Sequence, residues 1–393
     1  MSLSSGFGVR YLILMLTDRC NLSCRYCYNQ GPSLGDMERG LIDSIFDFVG
    51  PQPGPIHVQL TGGEPTLRPD LIEAAAERAK KIVNRKVTIA LQTNGTKLTN
   101  DLIKKIKNLD LAVGVSLDGP PDVNQKTRGG SEQLLDGLMA LEENQAPFRV
   151  TVVVSSQNVQ YLNQAALFLA SFSMCQGLGL DLMTEPIEMP ADSLLPKPPS
   201  PGDLEKAAAK LYICLQTINK LRRRPLRLRE ADILEKSLAN PLSKSLAKPL
   251  VSSQASFQAS PQASLQVGHQ ASPAYGHFCQ VGQGAGLCLR PDGALFPCAH
   301  SARQKELMIG YLKDLAKDTP EFIEQKLKTP LTKLTLFNFN CQKCPLLGRC
   351  PGDCPARQAA HRRQNETYEP DTLACALWRG LYSAIKGQAI DSL

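Results

Sequence analysis

Short, β-branched apolar runs alternate with amphipathic stretches through the first half of the chain. The runs predict six strands, at 9–16, 56–60, 86–93, 111–118, 148–156 and 179–185. The stretches between them repeat apolar residues with the period of a helix, near 37–49, 69–83, 99–108, 131–144 and 158–172. Because strands that alternate with helices pair in parallel, we predict an α/β fold, either an open, partial (β/α) barrel or a doubly wound sheet. In both folds the chemistry gathers at the carboxyl ends of the strands.

The pattern changes beyond residue 200, and we predict four regions. Residues 1–200 form the barrel, and 201–230 form a connecting segment with a helix near 203–222. In 231–276 the stretch "KSLANPL" at 236–242 recurs as "KSLAKPL" at 244–250, and the triplet "QAS" follows repeatedly. This tract has little to bury and predicts a disordered insertion without a catalytic role. Residues 277–393 carry eight of the thirteen cysteines and predict a second, small domain.

Composition narrows the function classes. The chain is 42% hydrophobic and 21% charged, and no apolar run approaches the roughly 20 residues that a membrane helix needs. The first fifteen residues lack the cleavage site of a secretory signal, so we predict a cytoplasmic protein. The net charge is +7, and the densest basic run, 220–230, is typical of the solvated face and end of a helix. Since no aromatic stacking platform accompanies that run, we predict no nucleic-acid partner.

Thirteen cysteines in a reducing compartment indicate metal binding or catalysis rather than disulfides. Cys20, Cys24 and Cys27 follow a C-x3-C-x2-C spacing directly after the first predicted strand. A structural zinc or an ordinary electron-transfer cluster takes four protein ligands, and here there are three. A zinc site with a remote fourth ligand remains an alternative at this point. Buried free thiols are disfavoured because charged and polar residues are interleaved with the cysteines.

The C-terminal cysteines form a second array. Four of them follow a C-x2-C-x5-C-x3-C spacing, namely Cys341, Cys344, Cys350 and Cys354. By itself this spacing favours a zinc knuckle with four thiolates. The array also includes Cys279, Cys288, Cys298 and Cys375.

The stretch "CNLSCRYCY" resembles the signature of the radical S-adenosylmethionine (SAM) superfamily, C-x3-C-x-Φ-C, in which the aromatic position Φ is Tyr26 here. The resemblance implies that Cys20, Cys24 and Cys27 hold three irons of a 4Fe–4S cluster. The fourth iron then stays open for the amino and carboxylate groups of SAM. An electron from the cluster breaks the sulfonium bond and releases a 5′-deoxyadenosyl radical.

Other stretches match the same family in order and place, and the resemblance implies cofactor binding for them. They are Gly62, Gly63 and Glu64 of "TGGEP", Thr93 and Asn94 of "QTNGT", Ser116 and Asp118 of "SLDG", and Arg128 of "KTRGG". In related enzymes the serine contacts the SAM carboxylate, and an arginine fork suits the same task. The alternatives without a function are a simple turn for the glycines and for Asn94, and a capped strand end for Ser116.

The C-terminal array resembles the seven-cysteine pattern of SPASM domains, which usually hold two auxiliary 4Fe–4S clusters. The resemblance therefore implies a partial (β/α)6 TIM-like barrel followed by a small, cysteine-rich SPASM domain, with three clusters in all. It assigns one auxiliary cluster to Cys341, Cys344, Cys350 and Cys375, and the other to Cys279, Cys298 and Cys354. Cys288 either completes the second set or is a buried thiol on a strand. Without Cys288, that cluster would have an open iron.

SPASM-bearing enzymes mostly modify peptides, so the resemblance implies a peptide maturase. Sulfatase-maturing members carry an Asp directly after the cysteine that matches Cys298, whereas Ala299 and His300 follow it here. This departure argues against sulfatase maturation; His300 is then a candidate base or a surface histidine. The alternatives are an enzyme acting on a carbohydrate or tetrapyrrole, and a zinc-binding interaction protein.

The expected partners follow from the same resemblance. They are a peptide or protein substrate and a low-potential electron donor of the flavodoxin or ferredoxin type. Because the barrel begins within ten residues of Met1, we expect leader recognition to rely on the SPASM region or on a separate leader-binding protein.

Overall fold

The structure is a computed structural model, and it describes most of the first 239 residues and parts of the remainder. The described residues are 8–29, 31–183, 196–239, 284–315, 318, 323, 325–327, 344–346, 349–350, 352–354, 356–357 and 372–388. Two of the predicted ligands, Cys279 and Cys341, lie outside them, as does the predicted insertion from residue 240 to 276.

All six predicted strands are present, and four further strands follow. The strands are β1 Tyr11–Thr17, β2 Ile56–Gly62, β3 Val87–Thr93, β4 Ala112–Ser116, β5 Phe148–Val154, β6 Cys175–Leu182, β7 Arg227–Leu228, β8 Gly286–Leu289, β9 Ala294–Phe296 and β10 Gly310–Tyr311. The helices are α1 Arg39–Val49, α2 Pro69–Lys80, α3 Asn100–Asn108, α4 Pro121–Thr127, α5 Ser131–Glu143, α6 Leu162–Ala170, α7 Pro201–Leu221, α8 Arg229–Ala239, α9 Leu312–Leu315 and α10 Thr372–Ile385. Short 3-10 turns occupy Pro65–Leu67, Val159–Tyr161, Ala299–Ser301 and Lys305–Leu307.

The described strands form a single sheet in the order β10-β9-β8-β1-β2-β3-β4-β5-β6-β7. From β8 to β7 all neighbours are parallel, and β9 and β10 join by antiparallel pairing. Strands β1 to β7 lie in sequence order without the reversal of a doubly wound sheet. The predicted partial TIM-like barrel is therefore confirmed. The pairing of β8 with β1 also joins the cysteine-rich region to the barrel sheet.

The two faces of the sheet differ in polarity. On β1 the side chains of Leu12, Leu14 and Leu16 are fully buried in the main apolar core that the helices cover. On β2 to β5, buried apolar residues alternate with half-exposed ones such as Gln59, Gln92 and Ser116. An apolar face packs against helices, and a polar, accessible face lines an open interior. The inner face of this sheet is therefore the wall of a cleft.

Two boundaries differ from the sequence prediction. Helix α8 runs to Ala239, so residues 231–239 are helical although we predicted them within the insertion. The basic run at 220–230 lies at the end of α7, and Arg223, Arg224 and Arg227 are exposed as predicted, but α7 ends at Leu221 and Arg222 turns inward. Its guanidinium donates to the carbonyl oxygens of Phe172 and Cys175, at 3.1 and 3.0 Å. Among the described residues, no helix is long and apolar enough to cross a membrane.

Candidate active site at the carboxyl ends of the strands

The three-cysteine loop leaves the carboxyl end of β1. Cys20 is exposed, and Cys24 and Cys27 are half-buried. The Sγ atom of Cys20 accepts from the backbone N of Leu22 at 3.5 Å and faces Asn94 Nδ2 at 3.9 Å. Burial raises the pKa of Cys24 to about 11 although the nearby Arg128 lowers it, so this thiol needs a bound metal to ionise near neutral pH.

A cluster of iron fits this donor set by its chemistry, since soft thiolates on one short loop are the ligands that iron–sulfur clusters take. Within the described part of the chain, no three His, Cys, Asp or Glu side chains already stand at the spacing of a metal site. The three thiols are nevertheless near enough to affect one another, because Cys27 and Cys20 contribute to the raised pKa of Cys24 after burial.

Gly62 and Gly63, at the end of β2, bring the backbone into contact with the start of the cysteine loop. Gly63 N donates to Thr17 O at 2.7 Å, and Glu64 N donates to Arg19 O at 2.8 Å. A Cβ on Gly63 would lie 2.2 Å from Arg19 O, and one on Gly62, whose φ is +148°, would lie 2.1 Å from Thr17 O. The paired glycines therefore hold the loop by a close backbone approach that no larger residue permits.

We expect Gly63→Ala to displace the cysteine loop, because its Cβ has no room beside Arg19 O. Iron bound per chain after anaerobic reconstitution should fall by about one cluster. Gly40→Ala in α1 is the matched control, since nothing lies within 4 Å of its added Cβ. Equal iron content in Gly63→Ala and wild-type protein would show that the loop does not depend on this contact.

Glu64 is 1% exposed and ties the end of β2 to the end of β3. Its Oε1 accepts from Thr66 N at 3.0 Å and from Thr93 Oγ1 at 2.7 Å, and its Oε2 accepts from Asn94 N at 2.6 Å. Thr93, also 1% exposed, is turned into this network. Asn94 points the other way, and its Nδ2 donates to Asn21 Oδ1 in the cysteine loop at 3.0 Å. The network thus fixes the loops on which the cysteines lie.

Tyr26, Asp118 and Arg128 meet in a buried ion pair beside Cys24. Asp118 is fully buried; its Oδ2 accepts from the Tyr26 hydroxyl and its Oδ1 accepts from Val153 N at 3.1 Å. Arg128 Nε lies 3.0 Å from Asp118 Oδ1 without the alignment of a hydrogen bond, and its guanidinium lies 5.5 Å from the Tyr26 ring centroid. Burial opposes the charge on Arg128, but Asp118 outweighs it and the pKa of Arg128 is raised. Arg128 therefore stays cationic.

Ser116 ends β4 on the inner face of the sheet. Its Oγ accepts from Gln92 Nε2 of β3 at 2.9 Å, and the side chain is half-exposed to the cleft. Ser116 lies two residues before Asp118, the ion-pair partner of Arg128, so the hydroxyl and the cation belong to the same strand end.

The predicted candidate base, His300, is half-buried and stacks on Tyr28, which follows the cysteine loop, with ring centroids 4.9 Å apart. Two charged residues near it in the fold, Asp181 and Arg229, were missed by the sequence analysis. Asp181 lies near the end of β6, and Arg229 begins α8. Asp181 could have been found from the rule that chemistry gathers at strand ends, since it lies in a predicted strand; Arg229 was hidden in the basic run.

The described C-terminal cysteines fall into two groups. Cys288 and Cys298 are buried in a small cluster with Ile13 and Met15 of β1, and Cys354 packs against it. Cys344 and Cys350 pack instead against the main core. Arg379 has a raised pKa caused first by Glu205, with contributions from Cys375 and Cys344. Cys288 and Cys298 thus lie together in one group, and Cys344 and Cys350 lie in the other.

Arg303 fastens the C-terminal region to the segment that follows the cysteine loop. Its Nε donates to Asn29 Oδ1 at 3.0 Å, and its Nη1 donates to Pro32 O at 3.2 Å. Its Nη2 lies 3.6 Å from Asp18 Oδ2, within ion-pair distance. The cysteine loop is therefore held from both sides, by the glycines of β2 and by Arg303.

Comparison with known proteins agrees with this geometry. Residues 14–169 match the family model of the radical SAM superfamily. The chain is 34% identical over 182 residues to an uncharacterised protein of Methanocaldococcus jannaschii, covering 45% of this chain and 63% of that protein. It is 33% identical over 156 residues to the Fe-coproporphyrin III synthase of Methanosarcina barkeri, covering 37% of each. The matches thus span less than two thirds of these relatives' own length.

Solved structures extend the likeness in fold beyond residue 169. anSMEcpe with bound AdoMet and the Kp18Cys peptide gives a TM-score of 0.73 at 20% identity, covering 97% of this chain and 98% of that chain. Streptococcus suis SuiB bound to precursor peptide SuiA gives 0.60 at 15% identity, covering 94% and 76%. The three-cysteine loop, its glycine contact and the family match agree over the same residues. Residues 14–169 therefore form a radical SAM domain, the family whose model they match.

Proposed function

We propose that this protein is a radical SAM enzyme that modifies a peptide or protein substrate. The observation that carries the proposal is the three-cysteine loop at the carboxyl end of β1, facing an open, polar inner wall. When bound, a 4Fe–4S cluster supplies the electron that splits SAM to a 5′-deoxyadenosyl radical, which takes a hydrogen atom from the substrate.

The chain's own residues would bind and orient the cluster and SAM. Cys20, Cys24 and Cys27 hold the cluster, and Asn94 directs an N–H toward Cys20 Sγ. Arg128 offers a cation to the SAM carboxylate, because neither of its terminal nitrogens hydrogen-bonds to another described residue. Asp118 keeps Arg128 charged and in place, and Ser116 adds a hydroxyl at the same strand end.

A peptide substrate is supported by the fold. Both solved structures named above hold a peptide, and their likeness to this chain covers nearly its whole length. An extended chain fits a cleft that is open along one face of the sheet. Because Ala299 follows Cys298 where the sulfatase-maturing group carries an Asp, we favour a peptide modification other than sulfatase maturation.

Two auxiliary 4Fe–4S clusters are part of the proposal. The grouping of Cys288 with Cys298 and Cys354 supports one site, with Cys279 as the remaining ligand. Cys344, Cys350 and Cys375, with Cys341, supply the other. Such clusters exchange electrons with the substrate or with a reductase, so a flavodoxin or ferredoxin is the proposed donor. A separate leader-binding protein is the proposed aid to substrate recognition.

A small-molecule substrate is the second candidate. It is favoured by the match to an Fe-coproporphyrin III synthase, although that match covers only 37% of each chain. The match therefore concerns the radical SAM domain, whereas the likeness to the peptide-bound structures extends through the C-terminal region.

The test is reductive SAM cleavage by anaerobically reconstituted protein. We expect a brown protein that forms 5′-deoxyadenosine with a chemical reductant, and faster with a pool of synthetic peptides. A stimulation by coproporphyrin in place of peptides would favour the second candidate. A colourless zinc protein that leaves SAM intact would identify a zinc-binding interaction protein instead.

A further inference from the structure

An ion pair on the inner wall of the cleft joins β6 to α8. Arg229 Nη2 lies 2.7 Å from Asp181 Oδ1, 2.8 Å from Leu180 O and 2.6 Å from Glu230 Oε1. The side chains of Arg229 and Asp181 are nevertheless 40% and 31% exposed. The pair is therefore anchored to the wall on one side and open on the other.

The wall is shaped to receive this guanidinium. Gly179 of β6 lies under it, and a Cβ there would be 2.8 Å from Arg229 Cζ. Glu230, 4% exposed, accepts from Arg229 Nε at 2.7 Å and from Leu180 N at 3.1 Å. These contacts fix the position of Arg229 before any ligand arrives.

One donor and one acceptor of the pair stay unused. Neither Arg229 Nη1 nor Asp181 Oδ2 hydrogen-bonds to another described residue. Nε, Nη2 and Oδ1 are the hydrogen-bonded atoms, whereas Nη1 lies over Gly179, where an added Cβ would be 3.0 Å from it. Because the two side chains are 40% and 31% exposed, a guanidinium donor and a carboxylate oxygen remain accessible together.

The pair lies across the cleft from the cysteine loop and β1. The charge of Asp181 contributes, after burial, to the raised pKa of Tyr11 on β1. Burial opposes the charge on Asp181 itself, but Arg229 and His300 lower its pKa, so this carboxyl is ionised at neutral pH.

We propose that Asp181 and Arg229 bind one main-chain peptide group of the substrate, with Asp181 Oδ2 accepting its N–H and Arg229 Nη1 donating to its carbonyl oxygen. The inference rests on the proposed peptide substrate and adds a recognition site to it. A neutral amide supplies an N–H as the partner for Asp181 Oδ2 and a carbonyl oxygen as the partner for Arg229 Nη1. A free carboxylate meets repulsion from both Asp181 and Glu230.

The experiment measures peptide binding to the SAM-loaded holoprotein without reductant, so that no turnover occurs. A pool of N-acetylated, C-amidated decapeptides is passed over immobilised protein, and retained sequences are identified by mass spectrometry. For a retained peptide, we expect Asp181→Ala to raise Kd by about tenfold to a hundredfold, the range for a hydrogen bond to a charged group. Arg229→Lys, which keeps the charge but loses the fork, should act in the same direction.

Two controls separate recognition from loss of structure. Asp232→Ala in α8 breaks the exposed pair with Arg227 of β7, whose Nη2 lies 2.9 Å from Asp232 Oδ1, and should leave Kd within about twofold, as expected for a surface pair. Single N-methylation along the peptide should find one amide whose methylation weakens binding to wild type but costs nothing more in Asp181→Ala. That non-additivity identifies the N–H that Asp181 accepts.

Each outcome of this experiment either supports or overturns the inference. Retained peptides that bind Asp181→Ala as tightly as wild type, or N-methyl effects that simply add, overturn this inference and leave the proposed function standing. If wild-type holoprotein retains no peptide from the pool, the peptide substrate and this site are both rejected.

Discussion

Replacing Cys24 with Ala is expected to lower 5′-deoxyadenosine formation by at least about a thousandfold, equivalent to roughly 4 kcal/mol of barrier. Cys24 is the central member of the C-x3-C-x2-C loop, and its removal leaves two thiols where the cluster needs three. The fold should survive, because Cys24 is only half-buried and lies outside the two apolar cores.

Measuring iron and sulfide distinguishes loss of the cluster at the three-cysteine loop from loss of the clusters at the C-terminal cysteines. Iron and sulfide in Cys24→Ala should fall by one cluster, and the visible absorbance of the remaining clusters should persist. Cys214→Ala is the matched control, since that half-buried thiol of α7 packs against the main core, donates to Asn163 O at 3.7 Å, and belongs to neither array. Continued 5′-deoxyadenosine formation by Cys24→Ala would reject our assignment of the first site.

The fold was predictable where local pattern and tertiary packing agree. The alternation of strands and helices up to residue 182 follows from burial of one sheet face against helices. Strand β6 begins at Cys175, earlier than predicted, because Gly177 and Gly179 weaken the strand pattern. Both glycines are needed for close approach: a Cβ on Gly177 would lie 2.4 Å from Arg227 O, and Gly179 makes room for Arg229. The need for glycine at these two positions comes from residues about fifty positions away in the sequence, so a local sequence pattern does not reveal it.

The pairing of β8 with β1 could not be predicted from the sequence either. The strand Gly286–Leu289 pairs in parallel with Tyr11–Leu14, across more than two hundred residues. All four of its residues are buried. From the sequence alone, a short apolar run could equally form a hairpin that is separate from the barrel sheet. This pairing brings Cys288 beside Ile13 and thus places the cysteine-rich region against the barrel.

The sequence motifs named candidate ligands for the site but not the contacts that hold those residues in place. The motifs named Tyr26, Asp118 and Arg128 as separate cofactor contacts, yet the three form one buried group whose members are up to 102 residues apart. The pair of Asp181 and Arg229 was missed because a basic run usually predicts a solvated surface. Only the tertiary structure shows that Arg222 and Arg229 turn inward.

The buried group carries the largest expected effect on stability. Asp118→Asn keeps the shape of the side chain and removes the charge that compensates Arg128, whose side chain is 10% exposed. An uncompensated buried cation typically costs about 3–5 kcal/mol, and we expect that loss in the free energy of unfolding. The measurement is anaerobic urea unfolding of the holoprotein followed by circular dichroism.

A charge rescue distinguishes this cause from a general defect. Arg128→Met added to Asp118→Asn removes the unpaired cation, so the double variant should recover part of the lost stability while failing to bind SAM tightly. Asp232→Asn, which breaks the exposed pair with Arg227, should cost less than about 1 kcal/mol. A double variant no more stable than Asp118→Asn alone would mean that the hydrogen bonds from Tyr26 and Val153, rather than the charge of Arg128, make Asp118 indispensable to the fold.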